Sequence, residues 1–278
     1  MNSKRFSKTS LAVFGILALI GIGCWIYQLA NGLAVTGMSN STSWGLYITC
    51  FMFFEGLSAG GLIVASSAHV FNIKSFKKVA LPAVITSTVS ICLAGAFVLI
   101  DLGSIQRVLQ MFATPNFLSP LVWHMAVIMI YLVLNILDIV FITKGKEQAV
   151  RGLSCVALPV AILVPSVTAW IFSLQIGRMW HTAIMAPVFV ASALDSGLSL
   201  LIIALVLLEA KGMVSVSSDL FSNLAKLLAT FVAVDACLIG CEVLTMAYPG
   251  ATDSIALGIM ATGATAPFFW LEIIFGLA

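Results

Sequence analysis

Long apolar runs alternate with short polar breaks along the whole chain. A helix needs about 20 mostly apolar residues to cross a bilayer, and by that measure eight runs qualify. They cover about 11–35, 44–71, 80–101, 121–143, 153–175, 182–208, 224–248 and 254–278. The breaks between them are too short to hold a separate soluble domain. The expected fold class is therefore all-α: a polytopic membrane protein of about eight transmembrane helices, arranged as two four-helix bundles in a single integral membrane domain, 1–278. The first run follows a basic start, Lys4, Arg5 and Lys8, as a signal peptide would. It is too long for one and no A-x-A site follows it, so it is expected to be a retained span.

Composition agrees with the pattern. The chain is 61% hydrophobic and only 9% charged, with a mean hydropathy of +1.14, which excludes an ordinary water-soluble domain. Its 13 basic and 11 acidic residues nearly balance and form no basic run, so nucleic acid is not an expected partner and the lipid bilayer is. Charge placement adds orientation. Lys4, Arg5, Lys8, Lys74, Lys77, Lys78, Lys144, Lys146, Arg151, Lys211 and Lys226 fall on one side of the eight-span arrangement, and Arg107 and Arg178 on the other. By the positive-inside rule the first group is cytoplasmic, and so are both termini.

Once depth is assigned, polar residues inside the spans stand out. Glu55 lies in the middle of the second span, where a carboxylate costs about 3 kcal/mol or more unless it faces protein or water. Next to it Gly56 and Gly60 form a GxxxG pair that strips one helix face, so that another helix or a flat ligand can approach closely. Toward the outer side lie Gln28, Asn31, Asp101, Trp123, His124, Trp170, Gln175, His181 and Glu242. Near the midplane lie Glu55, Asp195 and Asp235, and nearer the cytoplasm Asp138 and Glu272. This ladder of ionisable groups, richest outside, suits a site that handles protons and a polar-headed, lipid-soluble molecule near the outer surface. Each acid taken alone is equally consistent with a hydrogen bond between helices.

Two internal echoes recur four spans apart. Glu55-Gly-Leu-Ser58 is matched by Asp195-Ser-Gly-Leu-Ser199, and Trp123-His124 by Trp180-His181. A parallel repeat of two bundles would produce both. The six cysteines contain no CxxC or CxxCH, so no iron–sulfur cluster and no covalently attached haem is indicated in this chain. Cys237 and Cys241 are one turn apart, a weak metal signal, and no metal is expected. Two other function classes fit these residues. A b-type cytochrome subunit would use His124 and His181 as axial ligands. A proton-coupled secondary transporter would use the acid ladder together with spans interrupted by Pro159, Pro165, Pro187 and Pro267.

Three motifs carry a resemblance to a known family: WGLYITCFMFFEGLSAGGLIV (44–64); Asp101-Leu102-Gly103 with Arg107 and TPNFLSPLVW (114–123); and WHTAIMAPVFVASALDSGLSLLI (180–202). Together they resemble the polysulfide reductase/NrfD family, which includes membrane anchors of the dimethyl sulfoxide reductase type. The resemblance implies a multi-pass subunit in the cytoplasmic membrane of a prokaryote. It would exchange electrons between menaquinol and a ferredoxin-like iron–sulfur subunit docked outside, and through it with a molybdopterin catalytic subunit. Proton translocation would be an extension of that role. On this reading the quinone pocket lies among the first four spans near the outer face. His124 and Asp101 carry the proton chemistry, Gln28, Asn31 and Trp123 contact the quinone, and the Gly56/Gly60 face leaves room for its ring. Glu55, Asp195, Asp235 and Glu242 form a proton path, of which Glu55, Asp195 and Asp235 near the midplane are too deep to touch the head group. Histidine, with an ordinary pKa of about 6.5, suits a proton acceptor at neutral pH.

Overall fold

A computed structural model describes residues 8–39, 44–174, 181–248 and 254–277. The residues Lys4, Arg5, Gln175, Arg178 and Trp180 invoked above lie outside them. The described chain is helical, in the order α1 (Lys8–Asn31), a 3₁₀ turn (Leu33–Thr36), α2 (Leu46–Val70), α3 (Lys74–Lys77), α4 (Ala80–Asp101), α5 (Ile105–Ala113), α6 (Pro120–Thr143), α7 (Glu147–Ser173), α8 (Met185–Ala210), α9 (Ser218–Ala247), α10 (Ser254–Thr262) and α11 (Ala266–Leu277). Among the described residues, seven helices are long and apolar enough to cross a membrane: α1, α2, α4, α6, α7, α8 and α9. The eighth expected span is not one straight helix. It is the pair α10 and α11, bent by 83° around Gly263, with Pro267 in the first turn of α11, where its missing N–H costs nothing.

Local chemistry explains where the helix ends depart from the apolar runs. The first span was expected to reach residue 35, but Gly32 adopts φ 80 and breaks the α-helix, leaving Leu33–Thr36 as a 3₁₀ turn. Helices α7 and α9 start about six residues earlier than the hydropathy indicates. Their first turns are polar and carry Glu147 and Asp219, which the helix dipole favours at that end.

The packing centres on α2. It is the most buried span, while α1 and α9 are the least, and it contacts α4 most extensively, then α8 and α7. Helix α6 packs on α7 and α4, and α9 packs on α8. The two expected bundles therefore meet along α2, which touches members of both. Adjacent glycines make this possible. A side chain at Gly60 would meet the backbone of α8, at Ala193 O and Gly197 Cα, and one at Gly61 would stand 3.1 Å from Ala83 O on α4. Bare backbone on two sides of one helix lets two neighbours close in at once. The Gly56/Gly60 face is therefore filled by α8, which corrects the expectation that it leaves room for a quinone ring. The helical echo has a physical meaning too: its two small-residue patches, on α2 and α8, pack against each other.

Candidate functional site

Three side chains from three helices converge inside the α2, α6 and α7 contact. His124 Nε2 lies 2.7 Å from Glu55 Oε1. Thr168 on α7 donates its hydroxyl to the same carboxylate, at 2.6 Å from Oε1 and 2.8 Å from Oε2, and stands 2.9 Å from His124 Nε2. Glu55 is 2% exposed and His124 3%. Buried charge is tolerated when it is paired and its remaining lone pairs are satisfied, and here the acid, the imidazole and the hydroxyl satisfy one another. The ring of Phe51, one turn before Glu55, closes the group from above, with its centroid 5.4 Å from that of His124 in an edge-on arrangement.

This contact corrects the depth assigned from the sequence. Glu55 was expected near the midplane and His124 toward the outer face, yet they share a hydrogen bond. The helices reconcile this: α6 starts at Pro120, so His124 lies within its first turns and inside the bundle, and Glu55 lies nine residues into α2.

Nearer the Trp123 end a cavity of about 580 Å³ opens between α1 and the start of α2, lined by residues that include Cys24, Tyr27, Gln28, Thr36, Met38 and Tyr47. Its buried polar point is Gln28. The Gln28 amide donates to Ile100 O at 2.9 Å, and its oxygen accepts from the Tyr47 hydroxyl at 2.9 Å. Tyr47, Phe51 and Glu55 follow one another at four-residue spacing, so the cavity wall and the buried pair share one stripe of α2, about 12 Å apart along the axis.

The other expected site residues divide. Asp101 ends α4 one residue past the Gln28 contact, and its Oδ1 is buried without a hydrogen-bond partner. The Asn31 side chain is turned back onto Tyr27 O and exposed, outside the cavity lining. Trp123 is 40% exposed and its indole donates to Phe117 O in the preceding loop. These two corrections have one cause: both are helix-terminal residues whose nearest acceptor is a local carbonyl. Asp195 on α8 and Asp235 on α9 face each other, with Glu272 of α11 near Asp235. Glu242 accepts from Thr182 at 3.2 Å, and His181 is bound through Nδ1 to Ser173 O. So the four acids expected to form one path fall into separate groups: Glu55 inside α2/α6/α7, Asp195 with Asp235 between α8 and α9, and Glu242 beside the start of α8.

Below the buried pair lies a hydroxyl network that the sequence pattern does not announce. The Tyr131 hydroxyl, on a fully buried side chain, donates to Ser58 O at 2.8 Å and lies 2.9 Å from Ser58 Oγ and 2.8 Å from Ser87 Oγ. Ser87 donates to Asn135 Oδ1 at 2.8 Å. A faint signal existed: His124, Tyr131, Asn135 and Asp138 all fall on one face of α6. Thr168, a lone threonine in an apolar helix, gave no signal.

The architecture defines a multi-pass helical membrane protein with a buried acid–imidazole pair inside the bundle. Comparison with known proteins gives the family. A family profile described as polysulphide reductase, NrfD, matches residues 34–278, and the chain belongs to that family. Similar curated proteins include a putative dimethyl sulfoxide reductase membrane subunit of Halobacterium salinarum, 37% identical over 80% of this chain and 57% of that protein. An Hdr-like menaquinol oxidoreductase integral membrane subunit of Archaeoglobus fulgidus is 28% identical over 99% of this chain and 71% of that protein. A selenate reductase subunit of Mesobacillus selenatarsenatis is 27% identical over 87% of this chain and 66% of that protein. The chain thus spans somewhat over half the length of the first of these relatives.

Proposed function

We propose that this chain is the membrane anchor of a respiratory oxidoreductase complex and its quinone-reactive subunit. Two lines support the anchor role: membership of the family, and three relatives named as subunits of reductases or oxidoreductases, two of them as membrane subunits. The single observation that carries the quinone reading is the cavity walled by Gln28 and Tyr47, on the same α2 stripe as the buried Glu55–His124 pair. A pocket for such a molecule needs apolar walls, a few convergent polar groups and a proton acceptor within reach. The amide–phenol pair offers a donor and an acceptor for a quinone oxygen, and Asp101 Oδ1 beside it has no protein partner.

In this reading menaquinol binds with its head group at Gln28, Tyr47 and Asp101. Its oxidation to menaquinone releases two protons and two electrons. The electrons leave to the ferredoxin-like iron–sulfur subunit and through it to a molybdopterin subunit. The protons pass to Asp101 and to the Glu55–His124 pair, which Thr168 holds in register. The lysine-rich ends of the bundle are cytoplasmic and the Trp123 end is outside, as the charge distribution indicates. The 103–120 loop with α5, which exposes Leu109, Phe112, Phe117 and Leu118, is the proposed docking surface. Asp195 with Asp235 remains a second proton-binding pair whose part in a path is tested separately below.

The test is binding of a quinol-site inhibitor of the hydroxyquinoline N-oxide class to the purified protein, followed by fluorescence quenching. Gln28→Leu combined with Tyr47→Phe is expected to weaken binding at least tenfold while leaving the protein inserted and folded. Unchanged affinity in a correctly assembled double variant refutes the pocket.

A further inference from the structure

Four buried side chains near the lysine-rich end of the bundle each hold a polar atom without a hydrogen-bond partner: Ser66 Oγ and His69 Nε2 on α2, Asp138 Oδ1 on α6 and Ser154 Oγ on α7. All are more than nine-tenths buried. Native proteins leave few such groups unsatisfied, and each one needs a water, an ion or a function to account for it. Four of them on the three helices that build the Glu55 site call for one explanation.

Their register supplies it. Glu55, His124 and Thr168 are at one level, since they touch. Helices α2 and α6 run in the same direction from that level and α7 runs against them. Fourteen residues along each helix, toward the lysine-rich end, stand His69 on α2, Asp138 on α6 and Ser154 on α7. Fourteen residues are about four turns and about 21 Å, so the side chains return to nearly the same face. The upper group is acid, imidazole and hydroxyl; the lower group is imidazole, acid and hydroxyl, with acid and imidazole exchanged between α2 and α6. In the upper group the three are in contact. In the lower group no hydrogen bond joins His69 to Asp138, and His69 Nε2, Asp138 Oδ1 and Ser154 Oγ each stay without a partner.

We propose that His69, Asp138, Ser66 and Ser154 enclose a hydrated chamber, a second proton-binding site, through which the Glu55–His124 pair exchanges protons with the cytoplasmic side. The ligand is water and the proton it carries. Between the two groups lies the hydroxyl network of Ser58, Ser87 and Tyr131. Each hydroxyl donates to a carbonyl oxygen and lies within hydrogen-bond reach of another hydroxyl, so rotation of the O–H groups toward one another would make a chain along which a proton can pass. Asn135 bonds to Ser87 and orients the chain. Ser58 is three residues from Glu55 on α2, and Asp138 is three residues from Asn135 on α6, so each end of the network has a neighbour on the same helix face. Among the charged groups near the chamber, Lys77 and Glu147 act on His69 from α3 and the start of α7, which are the elements that meet the cytoplasmic surface. No charge is consumed: a proton taken up at one end is released at the other.

This rests on the proposed quinone reaction for its source of protons, but the chamber can be tested without it. In the purified protein, X-ray radiolysis in ¹⁸O-labelled water places label on side chains beside bound internal water. Label is expected on His69 in the wild type, and at least a fivefold loss in Ser66→Leu, which fills the space. A wild-type His69 that takes up no label overturns the hydrated chamber. In sealed vesicles carrying the whole complex, with a pH dye on the cytoplasmic side, Asp138→Asn is expected to cut the turnover-linked pH change on that side at least tenfold. Asp138→Glu should restore it, and inhibitor binding at Gln28 and Tyr47 should be unchanged in both variants. A wild type with no pH change on that side, or a normally assembled Asp138→Asn that retains it, overturns the route. Failure of the inhibitor to bind wild type would overturn the quinone reading and leave the labelling result to decide the chamber.

Discussion

Gly60→Ala isolates the contact on which the bundle depends. A Cβ at position 60 would fall inside the van der Waals envelope of Ala193 O and stand 2.9 Å from Gly197 Cα, both backbone atoms of α8. No side chain can rotate away to relieve it. The helices must separate by at least half an ångström to reach an ordinary contact of about 3.4 Å, and by more at the carbonyl. Overpacking of this kind costs about 1–3 kcal/mol, a factor of roughly 5 to 150 in the folding equilibrium at 1.4 kcal/mol per tenfold. The same change at Gly56 meets Ala193 Cα and Ser196 Oγ at 3.8 Å, an ordinary contact, and should cost little. The assay is unfolding by SDS titration of the purified protein, with the two alanine variants side by side. Because Glu55 sits little more than one turn from Gly60, Gly60→Ala should also disturb the 2.7 Å contact with His124 and lower turnover. Equal stability of Gly60→Ala and Gly56→Ala would show that α2 and α8 do not meet as described, and would reopen the glycine face as a ligand space.

The remaining predictions concern the buried pair. His124→Phe should leave the protein inserted and inhibitor binding near normal but cut quinol turnover by about 10²-fold or more, the usual scale for a lost general base; wild-type turnover in an assembled variant would return His124 to a purely structural role. Thr168→Val keeps the shape and removes a hydrogen bond to a carboxylate, at a cost of about 1.5–3 kcal/mol, visible as a lower unfolding midpoint; an unchanged midpoint would mean that Thr168 does not hold the pair. Glu55→Gln keeps hydrogen bonding but cannot ionise, so it should abolish any membrane potential generated during turnover. No potential in wild type or variant would make the subunit an electroneutral anchor. Asp195→Asn, in the separate α8–α9 pair, should leave that potential intact if the path runs through α2, α6 and α7, and its loss would move the path to the second pair.

What the sequence determined by itself follows from the bilayer. In a solvent that cannot hydrogen-bond, each span must be a long apolar helix, so eight runs, the all-α class and the side carrying the lysines could be read from hydropathy and charge. The polar residues that matter, Glu55, His124, Asp138 and Gln28, were also conspicuous, because anything polar at that depth costs free energy and has to be held by something. Their partners were not legible, since rotation and vertical offset of helices are fixed by packing rather than by composition. Gly60 and Gly61 let α8 and α4 approach α2 from two sides, and the rotation and offset of α6 against α2 bring Glu55 beside His124. Thr168 joins them only because α7 runs antiparallel at the right height. The glycine face, read as room for a ligand, became a helix contact, whereas the ligand-sized space opened where α1 packs loosely against α2. Which residues cross the membrane is a property of each segment; which of them touch depends on two or three helices at once, and only the tertiary structure contains that.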